Sequence, residues 1–170
     1  MLQNDRIYLK PLSEEDFEFY KEIYSDPDLM EYISPVLSEQ SINKSFRITL
    51  KKQKTHPRTL IAFIIFNKSN NDKIGIVGIK WNQKKLNSAE LGLIIRKIYQ
   101  KHSLSKDVLT LIISYVNNNL KIDNLIALGD VVNIPANKVL KKTGFIHDDK
   151  HAKTNILKNK WIYSIVKNKI

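Results

Sequence analysis

Cysteine is absent from the 170 residues, which excludes disulfides, thiolate metal sites and a cysteine nucleophile. Glycine is scarce, with five in all and none between Gly92 and Gly129. Any loop in that interval that wraps an anion must do so without the residue that best tolerates unusual backbone angles. Long apolar runs are missing too. Leu60 to Phe66 falls far short of a membrane span, and the first residues lack the charged-then-apolar pattern of a signal peptide. Without repeats, linkers or low-complexity tails, the chain reads as a single domain over 1–170, with a cytoplasmic location expected.

What is present is positive charge. The formal net charge is +11 on a 42% apolar chain, a balance that suits an anionic cofactor, an acidic partner or nucleic acid. Lysines far outnumber arginines and are scattered, whereas a nucleic-acid surface more often clusters arginine with aromatics. Nucleic acid is therefore not the expected partner. The basic balance leans toward an anionic acceptor or cofactor.

Periodicity lays out the elements. Arg6 to Leu12 alternates with period two and reads as a strand, and Ser13 with Asp16 resembles a capping box opening a helix through Tyr24. Asp26-Pro27-Asp28 is expected to break that helix, Leu29 to Ile33 to form a short turn, and Ser38 or Ser41 to start a second helix running to Lys54. Thr59 to Asn67 and Ile74 to Gln83 read as a hairpin, and Glu90 to Ile95 as a central strand. A polar loop, 99–105, leads into a third helix capped by Ser103 or Ser105, with an apolar stripe from Leu104 to Val116. Leu125 to Leu128 is a short strand, Asn133 caps a helix over Ala136–Thr143, Gly144 closes it, and Phe145-Ile146 and Lys160–Val166 end the chain as strands.

The stretch from Ser88 to Phe145 organises the rest. A strand delivers the chain to a polar loop at the head of a helix, where backbone N–H groups and the positive end of the helix can hold an anion. Its motifs are Ala89-Glu90-Leu91-Gly92-Leu93, Gln100 at the loop, and Asn133-x-x-Ala136-x-x-Val139-Leu140-x-Lys142-x-Gly144-Phe145. These resemble the GNAT superfamily of acyl-CoA N-acyltransferases, in particular the RimJ/RimL-like branch, and the likeness extends over nearly the whole chain. The resemblance implies an α/β (α+β) fold, with a mixed, mostly antiparallel central sheet and about four helices. It also implies an N-acetyltransferase that uses acetyl-CoA and no metal, acting on a small-molecule or protein amine as a monomer or homodimer away from membranes.

Residue by residue, the resemblance implies that Leu93, Ile94 and Ile95 offer backbone groups to the cofactor. Gln100, Lys101, His102, Ser103, Leu104, Ser105 and Lys106 would form the pyrophosphate loop, and Asn133 a further cofactor contact. The family loop carries glycines where Ser103 and Ser105 stand, a departure that Lys101, His102 and Lys106 can offset by charge. Glu90 is the candidate catalytic base, since an amine must be neutral to attack a thioester, and a carboxylate amid Leu91, Leu93 and Ile95 is expected to be partly desolvated. Tyr32 and Trp81 are candidate acceptor-binding residues. Ala136 and Leu140 occupy positions where relatives carry a serine or tyrosine acid, leaving Tyr99, Tyr163, water or no acid for the leaving thiolate. His147-Asp148-Asp149-Lys150-His151 reads as a solvated turn rather than a metal site. An acyl carrier protein donor and a non-catalytic binding module are the rival readings.

Overall fold

The computed structural model describes residues 2–82, 87–100, 102–149 and 158–165. Among them eight strands form one sheet in the order β1-β2-β3-β4-β5-β6-β8-β7. The strands are β1 (Leu2–Gln3), β2 (Ile7–Pro11), β3 (Leu60–Asn67), β4 (Lys73–Trp81), β5 (Ser88–Ile95), β6 (Asn124–Asp130), β7 (Ile146–His147) and β8 (Lys158–Ser164). Every pairing is antiparallel except β5 with β6. Six helices accompany them: α1 (Phe17–Ser25), α2 (Pro27–Met30), α3 (Glu39–Lys54), α4 (Lys97–Gln100), α5 (Leu104–Asn119) and α6 (Ile134–Lys142). Four exceed a single turn. No described helix is long and apolar enough to cross a membrane.

The sheet is covered on both faces, which is why β3 and β4 read as near-continuous apolar runs. On one face Leu9, Ile65, Val77 and Leu91 pack with Val108, Ile112 and Val116 of α5. On the other, Ile64, Ile76 and Ile94 pack with Tyr20 and Ile23 of α1 and with Ile42, Phe46 and Leu50 of α3. The spacing of four in α3 puts its three buried side chains on one stripe. That second cover stops at β5. Over β6 to β8 the sheet face is more open, with Leu128 and Ile146 exposed.

Some expectations hold and others shift. The break at Asp26-Pro27-Asp28 stands, since α1 ends at Ser25 and Asp26 is extended, but the short turn after it starts earlier than Leu29: Pro27 opens α2, because Asp26 caps the N–H groups of Asp28 and Leu29 and proline lacks the N–H a first turn leaves unpaired. The box at Ser13 is built from its Asp, whose Oδ2 accepts from both the Ser13 N–H and hydroxyl at 2.9 Å; Lys73 then binds the other oxygen at 2.7 Å. The polar loop is shorter than its residues suggest, since Lys97–Gln100 winds into one helical turn. Strands β6 and β8 each run to residues beyond those expected, as cross-strand pairing outweighs the low strand propensity of Asn124, Asp130 and Lys158. Gly144 does close α6, at φ +91°.

Candidate active site

The parallel pair β5/β6 is in register from Ser88 opposite Asn124 to Leu91 opposite Ala127, and no further. Beyond Leu91, β5 runs on to Ile95 against β4 alone, and β6 runs on to Asp130 against β8 alone. The sheet opens there into a seam whose edges carry backbone groups with no partner strand across it. Gly75 permits the parting. A Cβ at that position would lie 2.2 Å from the Ile94 carbonyl oxygen, so only glycine lets the end of β5 press this closely on β4.

Because β5 and β6 are parallel and each is followed by a helix, the heads of α5 and α6 emerge at the same end of the sheet as the seam. This is the usual place for a ligand at a break in strand order. At the head of α5, Gln100 turns inward and its Nε2 donates to the Ile95 carbonyl at 2.8 Å. Ser103 takes the left-handed backbone (φ +58°, ψ +15°) that a glycine adopts freely. Its side chain makes no capping bond, so the expected cap is replaced by a backbone turn. His102 and Lys106 are exposed and Ser105 half-buried. Leu104 is core, leaving only its main chain for a ligand. Lys101 lies outside the described residues.

Arg6, read from sequence only as a polar position on the first strand, clamps this loop. Its guanidinium donates to the His102 carbonyl and pairs with Asp107 of α5 at 3.0 Å. At the head of α6, Asn133 accepts from the Ala136 N–H at 3.1 Å and is a true cap. Asn137, also missed, is a hub. Its Nδ2 donates to the carbonyls of Asp130 (2.8 Å) and Asn133 (2.9 Å), while its Oδ1 accepts from Trp161 Nε1 (2.8 Å) and Asn159 Nδ2 (3.3 Å). One amide thus binds the far wall of the seam to α6 and β8.

A family model described as an acetyltransferase (GNAT) domain matches residues 6–146. The chain belongs to the GNAT acetyltransferase family. No curated protein sequence matches it significantly. Solved structures share the fold at low identity. A spermidine N-acetyltransferase from Vibrio cholerae, in complex with CoA and spermine, is 16% identical with TM-score 0.77, covering 95% of this chain and 96% of that one. An acetyltransferase from Salmonella typhimurium that modifies the N-terminal serine of ribosomal protein L7/L12 is 14% identical with TM-score 0.79, covering 96% and 97%. A nucleotide-linked sugar GNAT is 19% identical with TM-score 0.76, covering 96% and 89%.

Within the GNAT scaffold, Glu90 stands opposite Lys80 on β4 and Ile126 on β6, one residue before the seam opens. Its side chain is exposed. Strand alternation explains why the expected desolvation is not found: Leu91, Leu93 and Ile95 belong to the α5 face, and Glu90 shares the opposite face with Gly92 and Ile94. Nothing lies within 4 Å of a Cβ built on Gly92, so the space beside the carboxylate is free. Leu93, Ile94 and Ile95 all pack into the cores through their side chains. Any contact they make in the seam is through the main chain.

Trp81 and Tyr32 are not brought together. Trp81 pairs with Ala89 at the closed end of the seam and packs on the α5 face, away from Glu90. Tyr32 follows α2 on Glu90's side, beside a hollow of about 430 Å³ that also takes in Glu31, Asp130 and Lys158. Among the alternative acids, Tyr99 donates to Asp72 at 2.5 Å and Tyr163 packs on Phe145. Neither is turned toward Glu90. Leu140 is core and Ala136 supplies only its N–H to Asn133. His147 bonds Asp149 (2.8 Å) and Asn159 (3.0 Å), Lys160 binds Asp148, and no metal-holding group is found among the described residues. Lys150 and His151 lie outside them.

Proposed function

We propose that the protein is an acetyl-CoA-dependent N-acetyltransferase that acts on a primary amine by direct attack within a ternary complex. The observation that carries this reading is the seam between β5 and β6, with two helix heads at its mouth and one carboxylate beside it. The residues present fit coenzyme A. Main-chain groups of Leu93–Ile95 suit its pantetheine amides, and the N–H groups of Ser103, Leu104 and Ser105 suit its pyrophosphate, those of His102 and Lys106 being turned back on the Tyr99 and Ser103 carbonyls. Ser103 preserves the turn that glycine serves elsewhere in the family, and Asn133 stands at the second helix head.

Coenzyme A supplies an acyl group activated as a thioester. In the transfer the amine nitrogen bonds to the acyl carbon, the C–S bond breaks, the nitrogen gives up a proton and the departing sulfur takes one. Glu90 accepts the nitrogen's proton, directly or through one water, at the open space over Gly92. Water serves the sulfur, since Tyr99 is held by Asp72 and Tyr163 packs on Phe145. The rest of the work is holding two substrates in contact.

The test is acetyl-CoA titration followed by thiol release with a mixed panel of amines. Glu90→Gln is expected to lower kcat/KM by about 10²–10³ and leave acetyl-CoA affinity within about twofold. Uptake of an acyl carrier protein but not of acetyl-CoA would overturn the donor assignment. Uptake of acetyl-CoA with no thiol release for any amine would overturn catalysis.

A further inference from the structure

The hollow beside Tyr32 contradicts the protein's overall charge. Across a chain of +11, its lining sets two carboxylates, Glu31 and Asp130, against one ammonium, Lys158. That ammonium is already committed: it donates to the Tyr32 carbonyl at 3.1 Å and lies 3.6 Å from Asp130. Lys97, the other nearby cation, is held by Asp28 at 2.6 Å. Asp130 uses Oδ1 for the Val132 N–H, at 3.1 Å, leaving Oδ2 with only the longer ion pair. The field at this place is negative. The Tyr32 hydroxyl is raised above its usual range by its hydrogen bond to Glu31, then by the charges of Glu31 and Asp130. Apolar walls complete the hollow, from Pro27, Ile33, Pro35 and Val36.

Its placement relative to Glu90 follows from strand register. Glu90 is opposite Ile126 on β6, and Asp130 lies four residues further along that strand. Ile126, Leu128 and Asp130 point to the same face, so the two carboxylates are separated along the sheet by roughly 13 Å, at about 3.3 Å per residue. Leu128, between them, is exposed. An apolar step thus joins the reacting carboxylate to a negative hollow.

We infer that the acceptor is a linear aliphatic amine with a second ammonium at its far end, which the hollow takes between Glu31 and Asp130 while the reacting amine lies at Glu90. This names the substrate class of the site proposed above and rests on that reading for turnover, but not for binding. An acceptor bearing phosphate would be repelled from the same place.

The experiment is calorimetric titration of the purified protein with 1,8-diaminooctane, octylamine and ethylenediamine, each without and with acetyl-CoA. The long diamine is expected to bind at least about tenfold more tightly than octylamine, which lacks the second charge, or ethylenediamine, which lacks the length. Added salt should weaken it. Glu31→Gln and Asp130→Asn, which preserve shape, are each expected to weaken the diamine about fivefold and leave acetyl-CoA uptake intact. Equal affinity for octylamine and the diamine, or variants without effect on the diamine, overturns the inference. Diamine uptake without acetyl-CoA uptake upholds the hollow and overturns the acetyltransferase reading. Acetyl-CoA uptake and turnover with no preference for the diamine does the reverse.

Discussion

The seam between β5 and β6 and the hollow beside Tyr32 are made of different materials. The seam is main chain: strand edges without a partner, two helix heads, and a serine in a left-handed turn. The hollow is side chain: two carboxylates, a lysine, and apolar residues carried on the loop after α2. A surface of main-chain donors recognises whatever has the right acceptors and is largely indifferent to which side chains surround it. A surface of side chains can be changed by a few substitutions without disturbing the fold. This division suits a fold whose solved neighbours include a spermidine N-acetyltransferase, an acetyltransferase that modifies ribosomal protein L7/L12 and a nucleotide-linked sugar GNAT: one donor end can serve many acceptor ends.

The sharpest way to break the seam alone is Gly75→Ala. The new methyl would meet a backbone oxygen at 2.2 Å, and neither β4 nor β5 can move without disturbing the core behind it. A loss of about 3 kcal/mol or more is expected in urea unfolding, well beyond the ~1 kcal/mol typical of a point change. If the variant is as stable as the wild type, the seam is not held open by this contact.

Asn137→Ala attacks the wall that seam and hollow share. It removes four hydrogen bonds and strands the indole N–H of the buried Trp161, for an expected cost of about 2–3 kcal/mol. Since Asp130 is tethered through its carbonyl to the same amide, both acetyl-CoA and amine affinity should fall in the folded variant. A change in one alone would separate regions that the structure joins.

The same division explains what was legible. The elements that build the seam announce themselves, because apolar periodicity and the motif from Asn133 to Phe145 report backbone geometry. Asn137 and Arg6 gave no such signal: each acts through one amide or guanidinium that reaches another element, and a side-chain reach of that kind leaves no periodic trace. Tyr32 is singled out from sequence as a candidate, whereas Glu31 and Asp130, which line the same hollow, are not. Glu31 and Asp130 are far apart in sequence, and only the packing of the loop after α2 beside the end of β6 brings them to one hollow. The basic composition even pointed the other way, toward an anionic acceptor, because net charge says nothing about where a local minority of carboxylates gathers.

Ser103→Gly is a gentler probe, confined to the loop. A non-glycine residue at φ +58° carries about 1 kcal/mol of local strain, partly offset by the greater freedom glycine has in the unfolded chain. A net gain of about 0.5 kcal/mol is expected in urea unfolding, with acetyl-CoA affinity equal or slightly higher. Weaker acetyl-CoA binding would show that the serine hydroxyl itself serves the ligand, and that the seam is not purely main chain.

The smallest effect expected is a pH dependence that runs from β7 to the shared wall. His147 holds Asp149 with one ring nitrogen and Asn159 with the other, and Asn159 in turn donates to Asn137. Both ring partners are acceptors, so the imidazolium satisfies both, and its pKa is raised above 6.5, first by Asp149 and then by Asn159. A raised folded-state value means the contribution to stability is fully present below the unfolded value and is lost as pH climbs through the folded one. The ring is about a third exposed (31%), which limits the contribution to a few tenths of a kcal/mol. Wild type should therefore exceed His147→Gln in Tm at pH 5.5, and the gap should close by pH 8.5. A gap that is constant with pH would mean the neutral ring serves Asn159 equally well, and that no titrating group reaches the wall of the seam from this side.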